Sequence, residues 1–275
     1  MSVLEQMDDL DKSICEQIDY ARKISSKMPE NTFAKEGIEV FPNFMDEESC
    51  NGLVEIARSF KRPFCYDIDS TAYHLARSDF GESLKPQYDQ KTYQIFNVQD
   101  LNDIAGELHH SGIIEALFKE RLGRNAYLNT CSIMMNDPDS QNRQPLHVDS
   151  FSPTFKFIVY LSDVMDLDQG PFTLVKGSHL HSERLKEAYF GNRKNGRHHT
   201  QMEAAYALDE STPILSPKGT AFMCNQSAVH AGWPHHKKDT RYLMMFYISF
   251  KDNTDITWHH GKEFTQGRTL ESLES

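Results

Sequence analysis

PLHVDSFSPTFKFIVYLSDVMDLDQGPFTLV, residues 145–175, opens on His147-Val148-Asp149 and continues through short runs of β-branched and aromatic residues broken by Pro153, Asp163 and Gly170-Pro171. Such punctuation marks strands joined by turns. The same character begins at Ala126 and predicts strands over 126–135, 146–150, 156–162, 172–175, 220–225, 228–231 and 241–250. Many short strands without alternating helices predict a mostly β fold, an antiparallel barrel or sandwich with flanking helices. Residues 180–210 interrupt the pattern with a polar, basic, helix-like stretch that includes HSERLKEAYFGNRKNGRHH. It reads as an insertion or lid at the barrel mouth.

Upstream, Leu10, Ile14, Ile18 and Ala21 recur at helical spacing, which predicts an amphipathic helix over 5–27 that ends before Pro29. Its apolar stripe either packs on the main body or mediates dimerisation. Residues 37–41 read as a strand, and Asp46, followed by Glu47 and Glu48, starts a helix carrying Leu53, Val54 and Ala57. A further helix is predicted over 113–122, stopping at Gly123. The expected organisation is a single domain over 1–275. It comprises an N-terminal helix (1–30), helical and strand support (31–125), a β-barrel core (126–250) containing the 180–210 insertion, and a C-terminal tail (251–275).

The chain has 275 residues and a formal charge of −11, which disfavours long contacts with phosphate backbones, so no nucleic-acid partner is expected. No basic start with an apolar run and no segment of about 18 apolar residues occurs, which predicts a cytoplasmic protein with no membrane partner. Five cysteines without a CxxC pair suggest neither a disulfide framework nor a zinc knuckle. The oligomeric state is not encoded in any pattern here.

His147 and Asp149 are two residues apart, and positions i and i+2 of a strand face the same way, so both can reach one ion. The spacing alone is weak, because the 13 His and the Asp content of the chain yield about one His-x-Asp by chance. A third ligand has to come from elsewhere, and His230 is a candidate, set in Ser227-Ala228-Val229-His230-Ala231-Gly232, where small neighbours leave room for a close approach. Two histidines and a carboxylate on one face of an ion leave three adjacent positions open, the arrangement of non-haem Fe(II) oxygenases. Arg241 follows eleven residues after His230 at the head of the apolar run RYLMMFYISF. If the two strands pair as a hairpin, Arg241 lies at the same barrel end as His230, where its guanidinium would take a dicarboxylic cosubstrate.

Residues 144–179, QPLHVDSFSPTFKFIVYLSDVMDLDQGPFTLVKGSH, and 219–248, GTAFMCNQSAVHAGWPHHKKDTRYLMMFYI, together resemble the phytanoyl-CoA dioxygenase family of Fe(II)- and 2-oxoglutarate-dependent oxygenases. The likeness includes His-x-Asp, the turn from Asp163 to Gly170-Pro171, Gly177-Ser178-His179, the distal His230 and the Arg241 beyond it. It covers 126–250, and EVFPNFMDEESCNGLVEIA at 39–57 is similar to the family's N-terminal strand and helix. The resemblance implies a double-stranded β-helix, a jelly-roll or cupin-like barrel. It also implies His147, Asp149 and His230 as the catalytic iron ligands, and Arg241 as the residue holding the distal carboxylate of 2-oxoglutarate. Halogenating relatives replace the ligand carboxylate with a small residue; Asp149 is present, which favours hydroxylation of an unactivated C–H bond of a small-molecule substrate. The cofactors implied are Fe(II), 2-oxoglutarate and O2, with release of succinate and CO2.

Other polar residues have plainer readings. His179 is expected to close a structural turn, and His181 with Glu183 falls in the insertion. The doublets His109-His110, His198-His199, His235-His236 and His259-His260 are expected to be solvated, those of the insertion lining the mouth. Asn129 or Cys131 contacts 2-oxoglutarate if its face turns inward, whereas Trp233 and Trp258 default to burial. Two rivals remain: a Zn(II) hydrolase on the same ligand set, and a non-catalytic β-barrel binding module. The substrate would be read by residues 60–95 and 180–210, which carry no decodable motif.

Overall fold

The computed structural model describes residues 9–59, 75–77, 92–96, 98–100, 102–137 and 145–250. Cys65, Trp258, His259-His260, the 251–275 tail and most of 60–95 lie outside them. Among the described residues there are six α-helices: α1 (Asp9–Ser25), α2 (Thr32–Glu36), α3 (Glu47–Ser59), α4 (Asp103–His110), α5 (Ile113–Leu122) and α6 (Ser182–Lys194). The strands are β1 (Ile38–Phe41), β2 (Leu75–Arg77), β3 (Thr92–Phe96), β4 (Tyr127–Asn136), β5 (Thr154–Tyr160), β6 (Phe172–Leu174), β7 (Thr212–Pro213), β8 (Ala221–Asn225), β9 (His230–Gly232) and β10 (Arg241–Ser249).

Short polar side chains start the helices by accepting orphan amides: Asn31 from Ala34, Asp46 from Ser49 and Asn102 from Ala105. Gly123 ends α5 at φ 67°, a conformation that glycine adopts without strain.

The strands form two antiparallel sheets, one of seven strands in the order β1-β8-β5-β10-β4-β3-β2 and one of three in the order β7-β6-β9. Alternation along the central strands explains why both faces of the large sheet are buried. Phe155, Phe157, Val159, Tyr242, Met244 and Phe246 point to the helices and meet Phe33, Leu53 and Phe118. Their neighbours Ile158, Tyr160, Leu243 and Met245 point the other way and meet Leu174 and Phe172 of the small sheet. Phe222 bridges the sheets, with ring centroids 5.2 Å from Tyr160 and 5.3 Å from Phe172.

Three features differ from the sequence expectation. Residues 146–150 do not form a strand of their own; His147 instead makes isolated bridges to Gln201 and His230. β9 and β10 do not pair as a hairpin, because β9 joins β6 in the small sheet while β10 lies between β5 and β4 in the large one. Two strands that the sequence did not announce, β2 and β3, join the expected β1 in the large sheet. The 180–210 stretch is, as expected, an insertion, lying between β6 and β7. Leu185, Ala188, Tyr189, Met202 and Tyr206 share a buried cluster with Leu146, Val148 and Phe151.

The apolar stripe of α1 is spent within the molecule. Ile14 and Ile18 enter that same cluster, and polar contacts clamp α1 to α6: Tyr189 donates to Asp11 at 2.8 Å and Lys186 pairs with Asp19 at 2.7 Å.

Candidate metal centre

His147, Asp149 and His230 come together, with one donor atom from each lying within 4.8 Å of the others; among the described residues they are the one such group of three. Backbone pairing sets the distance between the histidines. The His147 amide donates to the His230 carbonyl and the His230 amide to the His147 carbonyl, both at 2.9 Å, which leaves the two rings 4.4 Å apart. Asp149 is placed by its own amide, which donates to the Gln226 carbonyl at 3.1 Å.

The ring tautomers follow from their partners. Nδ1 of His147 lies 2.8 Å from the Pro145 carbonyl, and Nδ1 of His230 lies 2.9 Å from the Ala228 carbonyl. A carbonyl only accepts, so each Nδ1 carries the proton and each Nε2 presents a lone pair. Burial, with His147 beside it, lowers the pKa of His230 and keeps that ring neutral. Asp149 Oδ1 sits 3.1 Å from Nε2 of His147 and 3.4 Å from Nε2 of His230. Three atoms that can each offer a lone pair to an ion thus converge. Donors about 2.1 Å from one ion and at right angles lie about 3.0 Å apart, so the spacing of Asp149 Oδ1 from each imidazole suits neighbouring corners of an octahedron.

Several neighbours hold this set in place. Phe172 stacks on the His230 ring at 5.5 Å and an interplanar angle of 28°. The Gly177-Ser178-His179 turn acts from behind: the Ser178 hydroxyl accepts from the Val229 amide at 2.7 Å and donates to the Val175 carbonyl. His179 donates through Nε2 to the Ala34 carbonyl at 3.1 Å and lies away from the donor set. On the other side of His147, the Val148 amide donates to Thr200 at 3.0 Å and the Met202 amide to Leu146 at 2.6 Å. The insertion therefore supplies a third backbone segment beside the His147 residue run.

Lys156 was not singled out in the sequence. It comes from the inward face of β5 and its ammonium pairs with Oδ2 of Asp149. Burial alone would raise the Asp149 pKa, but its neighbours, the Lys156 ammonium foremost, hold the carboxyl well below its ordinary range. Burial likewise opposes the charge on Lys156, and Asp149 more than restores it, raising that pKa. The signal in the sequence was a lone lysine inside the apolar run TFKFIVY, since a charge in a doubly buried strand needs a partner.

Arg241 is buried at 6% exposure. Its Nη2 donates to Asn136 at 2.5 Å, while Nε and Nη1 have no partner among the described residues. Burial pulls its pKa down to about 10, so the guanidinium stays charged at neutral pH. Gly170, at φ 66°, lets the chain pass close by: a Cβ there would lie 3.3 Å from Nη1 of Arg241 and 2.9 Å from the Trp233 carbonyl. Two residues on, Phe172 covers His230, so one turn touches both the arginine and the donor set. A buried cation with two free N–H groups suits a carboxylate.

The remaining candidates fall elsewhere. Cys131 is buried in the cluster against the helices and so faces away from the gap between the sheets. Asn129 sits at a bulge in the β4–β10 ladder, where Tyr247 pairs with Thr130 and Ile248 with Leu128. His181 and Glu183 flank the start of α6 and form no donor cluster. His198 and His199 stack at 4.5 Å beside the His147 segment; burial, then His199 and His147, lower the His198 pKa. His235 is buried, with Nε2 donating to the Asp239 carbonyl at 2.5 Å, and only His236 of that doublet is exposed.

The architecture is a fold used by 2-oxoglutarate-dependent non-haem metal enzymes. The chain is similar to HygX from Streptomyces hygroscopicus, crystallised with nickel and 2-oxoglutarate, at TM-score 0.55 and 15% identity over 79% of this chain and 84% of that one. It is also similar to the epimerase SnoN, in complex with Fe3+, alpha ketoglutarate and nogalamycin RO, at 0.56 and 14% over 84% and 83%. The carbocyclase SnoK from nogalamycin biosynthesis gives 0.58 and 11% over 82% and 85%. At these identities the likeness is one of fold. No protein-family model and no curated protein matches the sequence. Among the described residues, no helix is long and apolar enough to cross a membrane.

Proposed function

We propose that this chain is an Fe(II)- and 2-oxoglutarate-dependent oxygenase whose two facing sheets form a double-stranded β-helix, with His147, Asp149 and His230 as iron ligands. The observation that carries the reading is the convergence of three lone pairs, both histidines being fixed as Nε2 donors by carbonyls behind them. When bound, iron with 2-oxoglutarate and O2 supplies oxidising power, succinate and CO2 leave, and a C–H bond of the substrate is hydroxylated. Arg241 receives the distal carboxylate through Nε and Nη1, its third side already tied to Asn136. Phe172 keeps the His230 ring from turning, and the buried walls around Val148 and Leu174 exclude water.

The substrate is a small molecule, and the finer kinship is with the phytanoyl-CoA dioxygenase family on the motifs quoted above. The protein works as one domain in the cytoplasm, without nucleic-acid or membrane partners. A Zn(II) hydrolase would use the same three ligands but leaves the two free N–H groups of Arg241 without purpose, as does a non-catalytic barrel. Anaerobic addition of Fe(II) and 2-oxoglutarate tests the choice. A weak visible charge-transfer band, followed by succinate on admission of oxygen, is expected; absence of both rules the oxygenase out.

A further inference from the structure

Lys156 plays no part in the function proposed above, yet it is built into the centre. Its backbone lies between Cys224 of β8 and Tyr247 of β10 in the ladder, and its ammonium sits 5.2 Å from the Tyr247 ring centroid while pairing with Oδ2 of Asp149. The side chain therefore has a defined seat on both sides. We propose that Lys156 is a positioning residue: by occupying Oδ2 it makes Asp149 offer Oδ1 alone to the metal.

The inference rests on the reading of His147, Asp149 and His230 as ligands, and concerns how many positions they leave open. A carboxylate can hold a divalent ion through one oxygen or two. With one, three protein ligands leave three of six positions; with two, they leave two. A cosubstrate chelating through two oxygens, with O2 beside it, needs three. Asp149 already points Oδ1 at both Nε2 atoms, and Lys156 holds the other oxygen away.

The lysine also has a cost for the ion, since an ammonium one carboxylate away repels a dication. A lysine that merely supported the fold would, on removal, loosen the site and weaken metal binding. Lys156 acting as proposed gives the opposite sign: its loss tightens the metal and weakens the cosubstrate.

The test is calorimetric titration of Mn(II) into metal-free wild type, K156M, K156Q and K156R, then of 2-oxoglutarate into each Mn(II)-loaded protein without oxygen. K156M is expected to bind Mn(II) about tenfold more tightly and 2-oxoglutarate about tenfold more weakly, with both Asp149 oxygens on the ion in its crystal structure. K156R, which keeps charge and donor, should return both affinities to wild type. K156Q, which keeps a donor without the charge, should tighten Mn(II) yet retain 2-oxoglutarate, and it carries the test if K156M does not fold. Mn(II) bound equally or more weakly by a folded K156M or K156Q overturns the role of Lys156 and leaves the ligand assignment standing. Wild type that binds no Mn(II) overturns both.

Discussion

His147 and His230 face each other as a closed antiparallel pair, each amide donating to the other's carbonyl at 2.9 Å. Their rings therefore meet because two backbones are hydrogen-bonded, and a side-chain change leaves that frame intact. Alanine at either histidine should abolish tight Fe(II) binding, lower succinate formation by at least roughly a hundredfold, and leave the far-ultraviolet dichroism unchanged.

Asp149→Ala should behave differently in one respect. It removes a ligand and also strands the Lys156 ammonium in a mostly buried seat. Metal binding is lost as before, but the metal-free protein should also lose about 3 kcal/mol of stability, measured by urea titration. Asp149→Ala as stable as the histidine variants would contradict this.

Arg241→Lys keeps the charge and gives up the planar fork, so it cannot satisfy Asn136 and a carboxylate together. The KM for 2-oxoglutarate should rise by roughly 10- to 100-fold while the Fe(II) affinity stays within about twofold. Steady-state kinetics against metal titration separates the two.

Gly170→Ala places a methyl group against the Trp233 carbonyl and Arg241 Nη1, at a positive φ of 66°. A loss of about 1–3 kcal/mol is expected, accompanied by a higher KM for 2-oxoglutarate. Unchanged thermal stability would show that the turn relaxes freely.

His179 gives a pH dependence. Burial pushes its pKa down to about 4 from an ordinary value of 6.5. The unfolded chain therefore takes up a proton between those values that the folded chain refuses. Stability should fall as pH is lowered from 6.5 towards 4, at up to about 1.4 kcal/mol per pH unit from this residue, with no contribution above that window. His179→Gln should flatten the slope in urea titrations at pH 5 and 7.5.

What could be read from the sequence was local. Turn chemistry at Asp163 and Gly170, the cap at Asp46 and the apolar runs of β5 and β10 announced themselves because neighbours in sequence decide them. Sheet membership did not. The polar stretch from Gly232 to Thr240 looks like a hairpin loop, but it carries the chain from one sheet to the other, and the choice is made by distant partners, Phe172 to Leu174 for β9 and Met135 or Tyr160 for β10. Likewise, residues 146–150 owe their extended shape to Thr200 and His230, which no local pattern reveals. Lys156 was visible as an anomaly in an apolar strand, but its partner Asp149 lies seven residues earlier, across the bend at 150–153, and only the fold of that bend brings the two together.

The segment around Thr200 to Met202 is hydrogen-bonded to the same short run that carries His147 and Asp149. A loop that varies to suit new substrates is usually free to be exchanged without disturbing the reaction chemistry. Here it is not. Grafting another 195–202 onto this chain would remove one edge of the ribbon that carries His147 and Asp149, so under the proposed function a change made there for substrate would also disturb the metal donors. Recombination at the ends of the whole 180–210 block, with its Thr200 and Met202 hydrogen bonds preserved, is the exchange this architecture tolerates.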